Sequence, residues 1–561
     1  MSTITISSTA ATTLSSKATN PWPLTLSGPS WEDVVSCLEQ EDEAPAEVLY
    51  RMIFAARSKA PSKGEAIRVL YAGLAKQDAH AERERKEGLY HSGTTASLHL
   101  LTTPSSSSSS SCGGAKNSSV LFRHECCYLM GQVGADTADW TEKRMAFEFL
   151  LRVLEDETEH EVTRHEAAEG IAAVFSNNLR EEDELRVLEF FEENFARKIQ
   201  ESEDDEEIAS TTTGGSATPP SSAEEREEPE GVGQGVATLE NSSTTRTLME
   251  VQNDSPSTRT RRDRINAALI QLLSRYFEGP DGTRTSSTKE VGRCSSWSPL
   301  AQTCFLAVEG LKRNTSRMCA CQYSSYDPAL GELGATEADI PRLGAQLMNE
   351  DHRIEDEEAC ELVGGSEVET ALVACKRIEN IKALMYKRYV AMFTLRNLQA
   401  VAPLAEALQR DESSPVLRHE IAFILGQMEH DHDDSNQSQT LPPGIAALLE
   451  NLAKEDEHSM VRHESAIALG TACGEDYGRM SAKEVYLHAP VLVEDVVHGG
   501  QSQGQHEHLS STSIADVIVQ ALEVYALDPE PIVAESCLVA LDTIRYWRMW
   551  DEEEKRILGD S

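Results

Sequence analysis

One stretch of this chain occurs twice. Leu121-Phe-Arg-His-Glu-Cys-Cys-Tyr-Leu-Met-Gly-Gln132 returns as Val416-Leu-Arg-His-Glu-Ile-Ala-Phe-Ile-Leu-Gly-Gln427. Shorter matches link Thr163-Arg-His-Glu-Ala-Ala168 to Val461-Arg-His-Glu-Ser-Ala466, Ile53-Phe-Ala-Ala-Arg57 to Met392-Phe-Thr-Leu-Arg396, and Ala301-Gln-Thr-Cys-Phe-Leu-Ala307 to Ala534-Glu-Ser-Cys-Leu-Val-Ala540. All four pairs keep the same order. A unit repeated in this way cannot bury its apolar face alone and must stack on its neighbours. The segments Val48–Arg57, Glu65–Leu74, Lys143–Leu154, Leu185–Ala196, Tyr389–Leu398 and Ile514–Leu527 carry apolar residues at three- and four-residue steps, the period of a helix. Strand alternation is nearly absent. The expectation is an all-α chain: a duplicated array of four helical hairpins.

The spacing between matched residues locates extra chain. It is 298 from His165 to His463 but 233 from Cys304 to Cys537, so the first half carries about 65 additional residues between those points. That interval holds the acidic, Ser/Thr/Gly-rich stretch 199–260, which cannot bury a core. The helices near 183–198 and 300–312 are expected to form one hairpin across it, since loop closure cost grows slowly with length. The organisation predicted is a disordered tail at 1–30, an N-terminal half at 31–315 with inserts near 88–119 and 199–298, and an acidic linker at 316–378. A C-terminal half follows at 379–550, with inserts near 430–442 and 474–512, and then a tail at 551–561.

The repeats carry an unusual polar step: Arg123-His124-Glu125, Arg164-His165-Glu166, Arg418-His419-Glu420 and Arg462-His463-Glu464. At this composition any basic-His-acidic triplet is expected roughly 0.24 times by chance. Three positions after each His stands Cys127, Ala168, Ala422 or Ala466, a small residue on the helix stripe beside it that lets a neighbouring helix approach. The bland reading is packing consensus, and it suits the Arg, which is expected to bond an acidic neighbour between repeats. It suits four His-Glu pairs poorly, because buried carboxylates are costly unless paired or metal-bound. Adjacent helix residues project about 100° apart, so His and Glu border one concave surface. Two imidazoles and a carboxylate from each half match the donor set of non-haem Fe(II) oxygen chemistry, with manganese the other metal such a set admits. The candidate ligands are His124, Glu125, His165, Glu166, His419, Glu420, His463 and Glu464.

Charge narrows the partners. Against 51 Lys and Arg stand 94 Asp and Glu, a net charge of −43, which repels nucleic acid and anionic lipid and suits a basic protein face. No apolar run reaches the length of a membrane span, and the Ser/Thr-rich start lacks the apolar core of a secretory signal. The 12 cysteines show no framework spacing, and Cys319-x-Cys321 alone is too weak for a metal site, so they are read as reduced residues of a cytoplasmic protein.

At Phe122-Arg-His-Glu, Leu417-Arg-His-Glu-Ile-Ala-Phe-Ile-Leu-Gly-Gln, Met460-Val-Arg-His-Glu, Tyr389-Val-Ala-Met-Phe-Thr-Leu-Arg-Asn397 and Ala534-Glu-Ser-Cys-Leu-Val-Ala-Leu-Asp542, the chain resembles the deoxyhypusine hydroxylases. These are HEAT-repeat enzymes with eight helical hairpins in two halves. The resemblance covers the repeats and not the inserts. It implies a monooxygenase that uses O2, a reductant and two Fe(II) ions to hydroxylate the deoxyhypusine side chain on translation initiation factor 5A. It further implies that His124, His165 and Glu166 hold one iron and that His419, His463 and Glu464 hold the other. Glu125 and Glu420 stand at the edge as catalytic residues, on iron or on the cationic amine. The alternative is a non-catalytic acidic scaffold with a structural metal site.

Overall fold

A computed structural model describes residues 24–40, 44–86, 119–175, 181–193, 261–277, 298–313, 327–348, 384–430, 441–454, 457–475, 480, 484–487 and 510–558. The expected disorder at the N-terminal tail and in the bulk of each insert lies outside them, as do Cys319 and Cys321. Among the described residues no helix is long and apolar enough to cross a membrane.

The first half contains α1 (Trp31–Gln40), α2 (Ala46–Lys59), α3 (Lys63–Lys86), α4 (Val120–Asp136), α5 (Trp140–Glu155), α6 (Glu161–Val174), α7 (Glu181–Phe191), α8 (Arg261–Ser274) and α9 (Pro299–Lys312). The second contains α10 (Ile340–Met348), α11 (384–397), α12 (Val401–Arg410), α13 (Pro415–Gly426), α14 (Pro443–Ala453), α15 (Ser459–Glu475), α16 (Ile514–Tyr525) and α17 (Pro531–Leu558). Each even-numbered inner helix of the first half has a counterpart: α2 matches α11, α4 matches α13 and α6 matches α15, while α9 matches α17. The chain is an all-α array of helical hairpins, as the repeats predict.

The inner helices close a circuit. Contacts run α2 to α4 to α6 to α9, cross to α13, continue through α15 to α17, and return to α2 and α4. Both crossings use the same chemistry. Ser119 caps α4 by accepting from Phe122 N, and its hydroxyl also bonds Glu535 Oε2 at 2.9 Å on α17. Ser414 caps α13 by accepting from Leu417 N, and its hydroxyl bonds Gln302 Oε1 at 2.5 Å on α9. Two apolar cores result, one per half, and Val120, Leu121, Val162 and Leu306 of the first half join the second core.

Backbone closeness sets the inner surface. A Cβ on Gly131 would stand 2.6 Å from Gly170 Cα, so α4 and α6 touch main chain to main chain; real Cβ atoms do not approach so near. The triplet arginines anchor the loops before the next inner helix. Arg123 bonds Glu159, Arg418 bonds Glu457 at 2.6 Å and Arg462 bonds Asp528, each pair buried or nearly so. Arg164 and Arg462 both donate from Nε at 3.0 Å, to Leu154 O and Leu452 O. The expected bond from Arg to an acidic neighbour holds for three of the four.

Four boundaries move. Helix α8 lies inside the predicted insert 199–298, and it is α8 that packs on α9, while α7 packs on α8 and α5. The hairpin expected from 183–198 and 300–312 is therefore completed by α8, whose Ile265, Leu269, Leu272 and Leu273 are buried. Helix α10 lies inside the predicted linker 316–378. Its Leu343, Leu347 and Met348 are buried, and its end is tied to α11 by Arg388 Nε donating to Leu347 O at 2.6 Å. A short antiparallel pair, β1 (Glu484–Leu487) with β2 (Ser510–Ser513), frames the insert near 474–512 and delivers Ser513 as the cap of α16. Helix α17 runs past 550 to Leu558. For α8 and α10 a few apolar residues at helical spacing suffice, and the acidic or polar composition around them masked the pattern.

Candidate metal centre

The eight His and Glu residues of the four steps are all buried, and they converge where α4, α6, α13 and α15 face one another. Ring centroids lie 4.9 Å apart for His124 and His463, 5.1 Å for His165 and His419, 5.3 Å for His419 and His463, and 6.0 Å for His124 and His419. The closest contacts therefore cross between halves. Among the described residues two groups have ligand atoms all within 4.8 Å of one another: His124, His165 and Glu166, and His124, His419 and His463. The first is the set expected for one ion. In the second, His124 stands where Glu464 was expected, while Glu464 Oε2 lies 3.6 Å from His419 Nε2.

The fit to a cation rests on orphaned nitrogens. Both ring nitrogens of His124, His419 and His463, and Nε2 of His165, are buried without a hydrogen-bond partner. Buried polar atoms are rarely left so, and imidazole nitrogens that face each other and nearby carboxylates could serve as donors to a shared ion. The charge states point the same way. Burial depresses His124, yet the carboxylates of Glu125 and Glu166 outweigh it and hold the ring up at about 10. His165 is pushed down to about 4 by burial, and His419 and His463 fall well below the ordinary range for the same reason. Burial lifts Glu420 to about 8, with Asp327 and Glu166 adding repulsion, and lifts Glu464 well above a normal carboxylate. A dication would settle both groups at once, neutral imidazole beside ionised carboxylate.

A cavity of about 200 Å³ opens over this cluster. Tyr50 and Phe54 of α2, Tyr128, Phe423 and Ile467 give it apolar walls, and Glu125, Glu166, Glu169, Asp327, Glu420 and Glu464 line it with carboxylates. Among the described residues no Lys or Arg lines it. The fourth residue after each His faces this space: Tyr128, Glu169, Phe423 and Ile467. Glu169 is the charged member. It was not singled out by the repeats because its counterpart is Ile467, although i+4 spacing from His165 would have found it. One Glu169 oxygen is buried without a hydrogen-bond partner, and burial with repulsion from Glu420 and Glu166 lifts its pKa well above normal. Asp327, from the chain just before α10, is held by Arg396 at 2.5 Å. Gln132 and Gln427 also line the cavity, and Gln427 accepts from Arg396 at 3.4 Å, consistent with a structural role. Cys126, Cys127, Cys304 and Cys537 are buried thiols in the cores.

No protein-family model matches the sequence. Curated relatives do. The chain is 31% identical over 253 residues to the deoxyhypusine hydroxylase of Xenopus laevis, spanning 44% of this chain and 54% of that protein. It is 34% identical over 291 residues to the deoxyhypusine hydroxylase of Danio rerio, spanning 50% and 61%. The chain thus spans about half the length of the curated relatives it matches. Among solved structures, human deoxyhypusine hydroxylase in complex with glycerol aligns with 92% of this chain and 96% of its own, at a TM-score of 0.43 and 19% identity. In sequence, the chain is similar to the deoxyhypusine hydroxylases over about half their length.

Proposed function

We propose that this protein is a deoxyhypusine hydroxylase, a monooxygenase that completes hypusine on translation initiation factor 5A with O2 and a reductant. The observation that supports this most is the convergence of four buried imidazoles, each with at least one ring nitrogen lacking a hydrogen-bond partner, with buried carboxylates beneath an acid-lined cavity. His124, His165 and Glu166 would hold one Fe(II), and His419, His463 and Glu464 the other. Bound iron supplies the oxygen activation that an unactivated C–H bond requires and that side chains cannot provide.

This chain's residues supply the rest. Glu125 and Glu420 flank the cavity and would fix the ammonium groups of the deoxyhypusine side chain by charge-assisted hydrogen bonds. Glu169 adds a third carboxylate on the same wall. Tyr50, Tyr128 and Phe423 would cover the methylenes and exclude water; the Tyr128 and Phe423 rings meet edge to face at 6.2 Å. Holding both ends of a flexible chain turns orientation into rate. An acidic outer surface suits the basic loop of a protein substrate, and the proposed location, with that substrate, is the cytoplasm.

The test is metal content and turnover on one preparation. Protein purified aerobically should carry close to two irons per chain and convert deoxyhypusine on the intact factor to hypusine. Zinc or no metal after anaerobic Fe(II) reconstitution, with no hypusine formed, overturns the reading.

A further inference from the structure

His165 differs from the other three imidazoles in one respect: its Nδ1 has a partner. Thr303 Oγ1, on α9, lies 2.6 Å from it, and both residues are fully buried. The same hydroxyl donates back along its own helix to Pro299 O at 3.1 Å. A hydroxyl has one proton. With that proton on the Pro299 carbonyl, Thr303 Oγ1 can only accept, so His165 must carry its hydrogen on Nδ1. Nε2 then keeps its lone pair, and it is Nε2 that lies 3.7 Å from Glu166 Oε2 without a hydrogen-bond partner. The matched position in the second half is Ser536, one residue before Cys537 as Thr303 is one before Cys304. Ser536 is fully buried too, but its hydroxyl has no hydrogen-bond partner, and neither ring nitrogen of His463 has one.

We infer that Thr303 is a positioning residue that fixes the Nδ1–H tautomer of His165 and so pre-forms the metal position of the first half, while the position around His463 has no such constraint. The consequence is two unequal sites, the first binding a divalent ion more tightly. Partners of this kind on ligating imidazoles change metal affinity by about 10- to 100-fold.

The inference rests on the metal reading above, and two measurements on the full chain separate them. Long-range proton–nitrogen NMR of metal-free, histidine-labelled protein reads the tautomer directly. Co2+ titration reads the two binding steps. Wild type should show His165 protonated at Nδ1 and two steps of unequal affinity. Thr303→Val should lose that tautomer preference and weaken the tighter step about tenfold, while Thr303→Ser should stay within about twofold of wild type. An Nε2-protonated His165 in wild type overturns the inference, as does wild-type Co2+ binding by Thr303→Val. Thr303→Ser as weak as Thr303→Val would also overturn it, since packing would then be the cause. Ser536→Ala weakening metal equally would remove the asymmetry. If wild type binds no Co2+, the metal reading falls, and the tautomer still decides the role of Thr303.

Discussion

The two halves share a backbone plan but not an electrostatic one. Around His124 the first half gathers Glu125 at 3.4 Å and Glu166 at 3.3 Å, and it adds Glu169 and the Thr303 hydroxyl near His165. The second half has Glu464 at 3.6 Å from His419, an apolar Ile467 opposite Glu169, and a Ser536 hydroxyl with no hydrogen bond. The cavity lining is unequal as well: the first half contributes Tyr50 and Phe54, and the second contributes Asp327, held by Arg396. Duplication preserved what packing requires, including the Arg anchors, the cap serines and the small residues between inner helices. It let the polar positions diverge.

Removing one imidazole from each half is the strongest challenge to that comparison. His165→Ala and His463→Ala should each abolish hypusine formation and lower the metal retained, because neither half holds a complete ligand set for both ions. Normal turnover in either variant would mean one half suffices.

Next comes metal removal. Glu420 holds its proton to about 8 in the folded state against an ordinary 4.5. Glu420's own contribution to stability therefore falls as pH rises through that window, while His165, His419 and His463, held below their ordinary 6.5, contribute in the opposite direction over its lower part. In the stripped protein Glu420→Gln should make melting temperature fall less, or rise more, between pH 4.5 and 8 than in wild type. A slope unchanged by that substitution would place the cost elsewhere.

A smaller effect isolates the carboxylate the second half lacks. Glu169→Gln should raise KM for the deoxyhypusine-bearing factor by about tenfold, the loss of one charge-assisted bond, with metal content unchanged. An equal rise from Ile467→Ala would show that shape at this level of the cavity matters more than charge. Smallest is the seam. Glu535→Gln copies the Gln302 arrangement onto the other crossing and should shift unfolding by less than about 1 kcal/mol, since a hydrogen-bonding partner is retained. A larger loss in denaturant melts would mean the seams are not equivalent.

The site was legible because four His-Glu steps repeat at matched positions, and repetition is visible in one sequence. Glu169 was hidden by the same logic, since it has no match in the second half. Thr303 was hidden because α9 meets α6 across a long stretch of inserted chain, and nothing local to Thr303 announces a histidine partner. Helices α8 and α10 escaped because each is set in acidic or polar chain, and α10 is short besides. The arginines were legible in kind, though Arg164 bonds a carbonyl rather than an acid.

The return of α17 to α2 and α4 has a consequence for how such a molecule can be rewired. Near that seam Tyr546 Oη donates to Leu26 O at 3.4 Å, so the first described residues adjoin the last helix. The contacts form a circuit, so the order in which the two halves are written along the chain is not encoded in them. A circular permutant opened between Arg313 and Asp327, with residues 558 and 24 joined by a flexible linker, should rebuild the same cavity with its second half translated first.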